Sequence, residues 1–120
     1  MTFTVKETYL KPGADVLLEQ NLGPVEKAYQ VLQDPSIISN VFYRSVDRSY
    51  AEIYRTWDSA ESYQDWFNRT EQLQQEILDE MLPYYSMIGI TFEKFFPTQP
   101  DQEWPINPEL ILIEFENIFE

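Results

Sequence analysis

The stretch from Arg55 to Leu82 constrains this chain more than any other. Asp58 offers a carboxylate to the free N–H groups of a first helical turn, and Glu61 follows at capping-box spacing. Tyr63, Trp66, Phe67, Thr70, Leu73, Ile77, Leu78 and Met81 then recur at helical intervals, which predicts one buried face. Gln64, Asp65, Glu71, Gln72, Gln75, Glu76 and Asp79 supply the wet face. Pro83 reads as the stop, because the residue before a proline avoids helical geometry. About 24 helical residues span roughly 36 Å, so this helix needs a sheet or another helix along its whole length.

The flanking sequence supplies a sheet. Thr2–Leu10 alternates, with Phe3, Val5 and Tyr9 on one parity and Glu7 as the single charged exception there. Lys11-Pro12-Gly13 reads as a turn and Ala14–Leu32 as a first helix, kinked or broken at Gly23-Pro24. Asn40–Val46 and Tyr50–Trp57 read as an antiparallel hairpin about Asp47-Arg48-Ser49, with Arg44, Glu52 and Arg55 available to pair across it. Ile88–Phe96 is a further strand. The expected order is β-α-β-β-α-β: an α+β, ferredoxin-like antiparallel sheet with its helices on one face. Residues 1–97 form that domain. Residues 98–120 are a proline-rich linker (Pro100, Pro105, Pro108) leading to an apolar strand, Glu109–Phe115. That arm either adds a strand to its own sheet or crosses to a partner subunit, since open sheet edges need covering.

Composition narrows the chemistry. The net charge of −13 over 120 residues would repel nucleic acid, so nucleic acid is not an expected partner. The charge reads as a solvated surface, with an acidic mimic of nucleic acid as the sharper alternative. The chain has no cysteine and no histidine, which removes disulfides, thiolate or imidazole metal sites and a cysteine nucleophile. No EF-hand-like carboxylate loop is present, and Gly13, Gly23 and Gly89 are too far apart for a phosphate loop. No cofactor and no metal are expected. The sequence shows no leader-like start and no long apolar run, so the expectation is a cytoplasmic protein without a membrane partner.

The junction Tyr50-Ala51-Glu52-Ile53-Tyr54-Arg55-Thr56-Trp57-Asp58-Ser59-Ala60-Glu61 resembles that of the dimeric α/β-barrel superfamily, in particular antibiotic-biosynthesis monooxygenase-like proteins. There, too, a strand ends in tryptophan and an acidic residue and serine precede a helix. The Lys11-Pro12-Gly13 turn is also similar, and the element order matches over Met1–Pro97. The resemblance implies a homodimer and either a small-ligand pocket or cofactor-independent oxygenation of a quinol-like compound, with Asn40 and Trp57 as pocket positions. Two positions depart from the family pattern. Arg55 stands where a glutamate is common, and Trp66 where a histidine is frequent. Haem degradation, which uses a histidine ligand, is therefore not expected.

Candidate pocket residues are Glu7, Tyr43, Arg44, Tyr54, Arg55, Trp57 and Trp66. Glu7 is the best candidate for a perturbed carboxylate, because burial raises a carboxyl pKa unless a cation such as Arg44 or Arg55 answers it. The expected function is non-catalytic binding of a small apolar ligand or a protein partner by a homodimer. The alternative is a cofactor-independent monooxygenase or isomerase of a small aromatic compound.

Overall fold

The computed structural model describes residues 1–10, 31, 33–47, 49–99 and 101–113. Five strands, β1 (Phe3–Leu10), β2 (Ile37–Arg44), β3 (Tyr50–Trp57), β4 (Thr91–Phe95) and β5 (Ile111–Ile113), form one sheet in the order β4-β1-β3-β2-β5. Every neighbouring pair is antiparallel. One long helix, α1 (Ala60–Ile88), joins β3 to β4. The chain is thus α+β. The expected turn at Lys11-Pro12-Gly13 and the first helix at Ala14–Leu32 lie outside the described residues except for Val31, which is helical and buried.

Strand register explains which side chains meet. Phe3 faces Trp57, Val5 faces Arg55, Glu7 faces Ile53 and Tyr9 faces Ala51. Side chains of one parity share a face, so Val5, Glu7, Tyr9, Ala51, Ile53, Arg55 and Trp57 all lie on one side. That side meets α1. Trp66, Ile77, Met81 and Tyr85 of the helix close a core with Val5, Tyr9, Phe42, Ile53 and Trp57. The helical period read from the sequence is the one that is buried, while Gln64, Asp65, Glu71, Gln72, Gln75, Glu76 and Asp79 are exposed.

Both ends of α1 differ from expectation. Ser59, not Asp58, is the N-cap: its hydroxyl accepts from the backbone N–H of Ser62 at 3.1 Å. Asp58 instead accepts from the Ser62 hydroxyl. Pro83 does not stop the helix, which continues to Ile88. A proline inside a helix removes one hydrogen bond and crowds the carbonyl four residues earlier. Here Pro83 and Asp79 both lie on the wet face, where water can satisfy the freed carbonyl. Tyr85, 1% exposed, meets the Tyr9 ring edge-on at 6.1 Å and holds the extra turn against the sheet. The helix ends at Gly89, whose φ of 82° is left-handed, and the N–H groups of Gly89 and Ile90 both donate to the carbonyl of Tyr85. The last strand consequently begins at Thr91, not at Ile88.

The hairpin strand β2 runs over Ile37–Arg44 and not Asn40–Val46, with a register irregularity between Ile37 and Ser39. Ser45 and Val46 belong to the turn. There Asp47 Oδ1 accepts from the Ser45 hydroxyl (2.6 Å), the Ser49 N–H (3.0 Å) and the Ser49 hydroxyl (2.7 Å). These three donors hold the Asp47 carboxyl at about 2, below the ordinary carboxylate range. The arm adds β5 to the edge of this chain's own β2, with Phe42 facing Ile113 and Arg44 facing Ile111. Between β4 and β5 the chain crosses the sheet face opposite α1. Asp101 Oδ1 accepts from the Thr2 hydroxyl at 3.0 Å, and Trp104 Nε1 donates to the Thr4 carbonyl at 3.0 Å.

Candidate functional site

Central strand β3 carries two separate polar clusters, one on each face. On the helix side, Arg55 forms an ion pair with Glu7, and both residues are under a tenth exposed. The Tyr9 hydroxyl donates to the other Glu7 oxygen at 2.9 Å. Burial alone would raise the Glu7 carboxyl. The charges of Arg55 and Lys94 and the hydrogen bonds from Tyr9 and Arg55 outweigh it and hold the group below its ordinary value. Glu7 is therefore an ionised, paired carboxylate. Burial, and next the Glu7 charge, push the Tyr9 phenol well above its usual range. Lys94 lies opposite Glu7 in the β1–β4 register and completes the cluster.

Aromatic rings wall this cluster. The Trp57 ring lies 4.9 Å from those of Tyr63 and Trp66, and Phe3 stacks on Tyr63 at 4.8 Å. The three tryptophans differ in how their indole N–H groups are used. Trp66 Nε1 donates to the Val31 carbonyl at 3.1 Å, and Trp104 Nε1 to the Thr4 carbonyl. Trp57 Nε1 is buried and makes no hydrogen bond among the described residues, and the same holds for Arg55 Nε. These residues are two apart on β3, so both orphan donors belong to the helix-facing side. A buried polar group left without a partner costs about 1–3 kcal/mol, and a bound water or the acceptor of a ligand answers such a group.

On the opposite face, Glu52 is 4% exposed and accepts from the hydroxyls of Tyr50 (2.9 Å) and Tyr54. Lys6 approaches the same carboxylate at 3.7 Å, and its ammonium lies about 6 Å from the ring centres of Tyr54, Phe95 and Trp104. Burial, and next the hydrogen bonds to Glu52, raise both phenols above their usual range. A groove of about 610 Å³ runs beside this cluster, between the sheet and the crossing segment, with Tyr43, Tyr54 and Trp104 in its walls.

The seven candidate residues are thus divided. Glu7, Arg55, Trp57 and Trp66 meet on the helix side; Tyr43 and Tyr54 lie on the other face, their rings edge-on at 5.9 Å. Arg44 has the helix-side parity but sits toward β5, where it donates to the Ser45 carbonyl at 3.1 Å. The expected pairing of Arg44 and Arg55 with Glu52 across the hairpin is absent for a parity reason. Glu52 points to one face and the two arginines to the other, so Glu52 pairs with Lys6 and Arg55 with Glu7. Asn40 faces Arg55 in the register.

Sequence reading missed Lys94 and Tyr9 on the helix side, and Lys6 and Trp104 on the other. For Lys94 a signal was present. It is the one cation on the Ile90, Phe92, Phe96 parity, as Glu7 is the one acid on the Phe3, Val5, Tyr9 parity, and two opposite exceptions on two strands call for each other. Among the described residues no cluster of acidic, histidine or cysteine side chains is arranged to hold a metal ion, and no helix is long and apolar enough to cross a membrane. No protein-family model matches the chain, and no curated protein matches it.

Proposed function

We propose that this protein is a non-catalytic binder of a small apolar ligand that carries a hydrogen-bond acceptor, held between the sheet and α1. The observation that carries this reading is the pair of orphan buried donors, Trp57 Nε1 and Arg55 Nε, on one face of β3 and beside the rings of Tyr63 and Trp66. A ligand carbonyl satisfies donors of this kind, and the rings supply the apolar contact that dominates small-molecule sites. The subunit is read as ferredoxin-like, which the order β4-β1-β3-β2 supports. The Tyr50–Glu61 resemblance to dimeric α/β-barrel proteins extends that reading to a homodimer. Its contact is the face away from α1, where Leu10, Phe95 and Leu112 are exposed.

The test uses 1,4-naphthoquinone, an apolar bicycle with two carbonyl acceptors, and naphthalene as its acceptor-free control. Tryptophan fluorescence should report saturable quenching by the quinone. Trp57→Phe, which keeps an aromatic ring and deletes the N–H, should weaken binding about tenfold, the equivalent of one buried hydrogen bond. Naphthalene binding as tightly as the quinone, or an unchanged affinity in Trp57→Phe, would remove the reading. Oxygen uptake with the reduced quinol, above that of protein-free buffer, would move the assignment to the oxygenase alternative. Native mass spectrometry of the same sample gives the subunit count, and a monomer at micromolar concentration would refute the homodimer.

A further inference from the structure

We propose that the groove on the sheet face away from α1, beneath the segment that crosses the sheet, binds a small quaternary ammonium compound. The site is independent of the one beside α1, which lies on the other face. The groove measures about 610 Å³, with Thr4, Val41, Tyr54 and Thr56 of the sheet on one side and Trp104 and Ile106 of the crossing segment on the other. Two anchors tie that segment to β1 and fix the shape of the groove. Asp101 Oδ1 accepts from the Thr2 hydroxyl at 3.0 Å, and Trp104 Nε1 donates to the Thr4 carbonyl at 3.0 Å. A site shaped before its ligand arrives loses little affinity to ordering.

Much of the polar lining is already committed. The Thr4 and Thr56 hydroxyls bond each other at 2.9 Å, the Tyr54 hydroxyl donates to Glu52, and the Gln102 side-chain carbonyl accepts from the Thr98 N–H at 2.7 Å. What the groove offers a ligand is aromatic surface and negative charge. Tyr43, Tyr54 and Trp104 supply the rings, those of Tyr43 and Tyr54 meeting edge-on at 5.9 Å. Asp101 and Glu103 supply the charge, and no lysine or arginine lines the groove among the described residues. Glu103 is exposed and makes no hydrogen bond or ion pair among the described residues. A sugar or a primary ammonium needs several hydrogen-bond partners. A quaternary ammonium has no N–H to satisfy and is attracted by ring faces and by carboxylate charge, so it matches this lining.

The chain already seats one cation on these rings. The Lys6 ammonium lies 6.0 Å from the ring centre of Tyr54 and 5.9 Å from that of Trp104. Glu52, 3.7 Å away, answers the Lys6 charge, which leaves Glu103 for a second cation. Lys6 does not line the groove. Tyr43 is the groove ring with no cation against it among the described residues, so the ligand's ammonium is placed there. A cleft lined by one sign of charge also gathers counter-ions around it, and the net charge of −13 adds to that pull.

The experiment titrates the full-length protein, isotope-labelled for NMR, with choline and with 3,3-dimethylbutan-1-ol, which has the same shape without the charge. The indole N–H signals of Trp57, Trp66 and Trp104 are followed. Choline should bind saturably, shift the Trp104 signal and leave those of Trp57 and Trp66 in place. It should bind about tenfold tighter than the alcohol, the ratio that one or two cation–π contacts confer. Tyr43→Leu, which keeps bulk and deletes the ring, should weaken choline binding about fivefold. Glu103→Gln alters an exposed side chain, and should weaken choline about twofold while leaving the alcohol unchanged. The comparison of choline with the alcohol in the wild-type protein needs no variant to fold. The alcohol binding as tightly as choline, a Trp104 signal that stays still, or choline affinity unchanged in both variants overturns the proposal. The quinone is read through Trp57 and choline through Trp104, so failure here leaves the site beside α1 standing.

Discussion

Replacing Glu7 by glutamine tests the helix-side cluster most directly. The substitution keeps the shape and deletes the charge. Glu7 is 5% and Arg55 8% exposed, so the guanidinium would stay buried without its counter-charge, and Lys94 would lose the nearby Glu7 charge. Breaking a buried ion pair from one side costs about 3–5 kcal/mol. Two stranded cations place Glu7→Gln near the upper end, at about 4 kcal/mol. Arg55→Met is milder, about 2–3 kcal/mol, because Glu7 then keeps the Tyr9 hydroxyl at 2.9 Å and the Lys94 charge. The double variant should recover roughly 2 kcal/mol relative to the sum of the single effects. Urea unfolding followed by tryptophan fluorescence measures all four proteins. The pH dependence provides a second readout. The native Glu7 carboxyl lies below the ordinary value of 4.5, so its contribution is complete above that pH and disappears as pH falls through the native pKa. Wild-type stability should therefore fall more steeply below pH 4.5 than that of Glu7→Gln. A Glu7→Gln cost under about 1 kcal/mol, or a larger cost for Arg55→Met, would refute this account of the cluster.

Further outcomes follow from other parts of the fold. Gly89→Ala places a side chain at φ 82° with open space around it, so only backbone strain acts, and urea unfolding should show a loss of about 1–2 kcal/mol. Ser59→Ala removes the N-cap acceptor and should cost about 1 kcal/mol, whereas Asp58→Ala should cost less, by the same measurement. The phenols of Tyr9, Tyr50 and Tyr54 are raised, so their stabilisation is intact below pH 10 and is lost as pH climbs through the native values. Absorbance at 295 nm should show tyrosines that ionise only as the protein unfolds in alkali. Trp104→Phe deletes the N–H donated to the Thr4 carbonyl, and amide exchange of the neighbouring β1 residues should quicken while that of β4 is unchanged.

How much of this was legible in the sequence depends on the range of each interaction. The buried face of α1 was legible because helical period is local, and Tyr63, Trp66, Ile77 and Met81 follow it. The hairpin was legible from its turn chemistry at Asp47 and Ser49. The helix end was not. Proline's local preference at Pro83 yields to the packing of Tyr85 against Tyr9, a contact between residues remote in sequence. The Glu7–Arg55 pair was half legible: the parity exception at Glu7 announced a buried charge, but its partner depended on strand order. The orphan donors at Trp57 and Arg55 were not legible at all, because a missing partner is a property of the whole assembled core.

The alternation of charge along β3 carries a consequence for assembly. Glu52 and Arg55 have opposite parity, and each pairs diagonally across to β1, one with Lys6 and the other with Glu7. Sliding β3 by one residue would turn every side chain to the other face. Glu52 would then enter the dry side beside Glu7, and Arg55 would emerge beside Lys6. Both misalignments set like charges together, so the strand carries an electrostatic check on its own alignment that apolar residues, interchangeable in their contacts, would not provide.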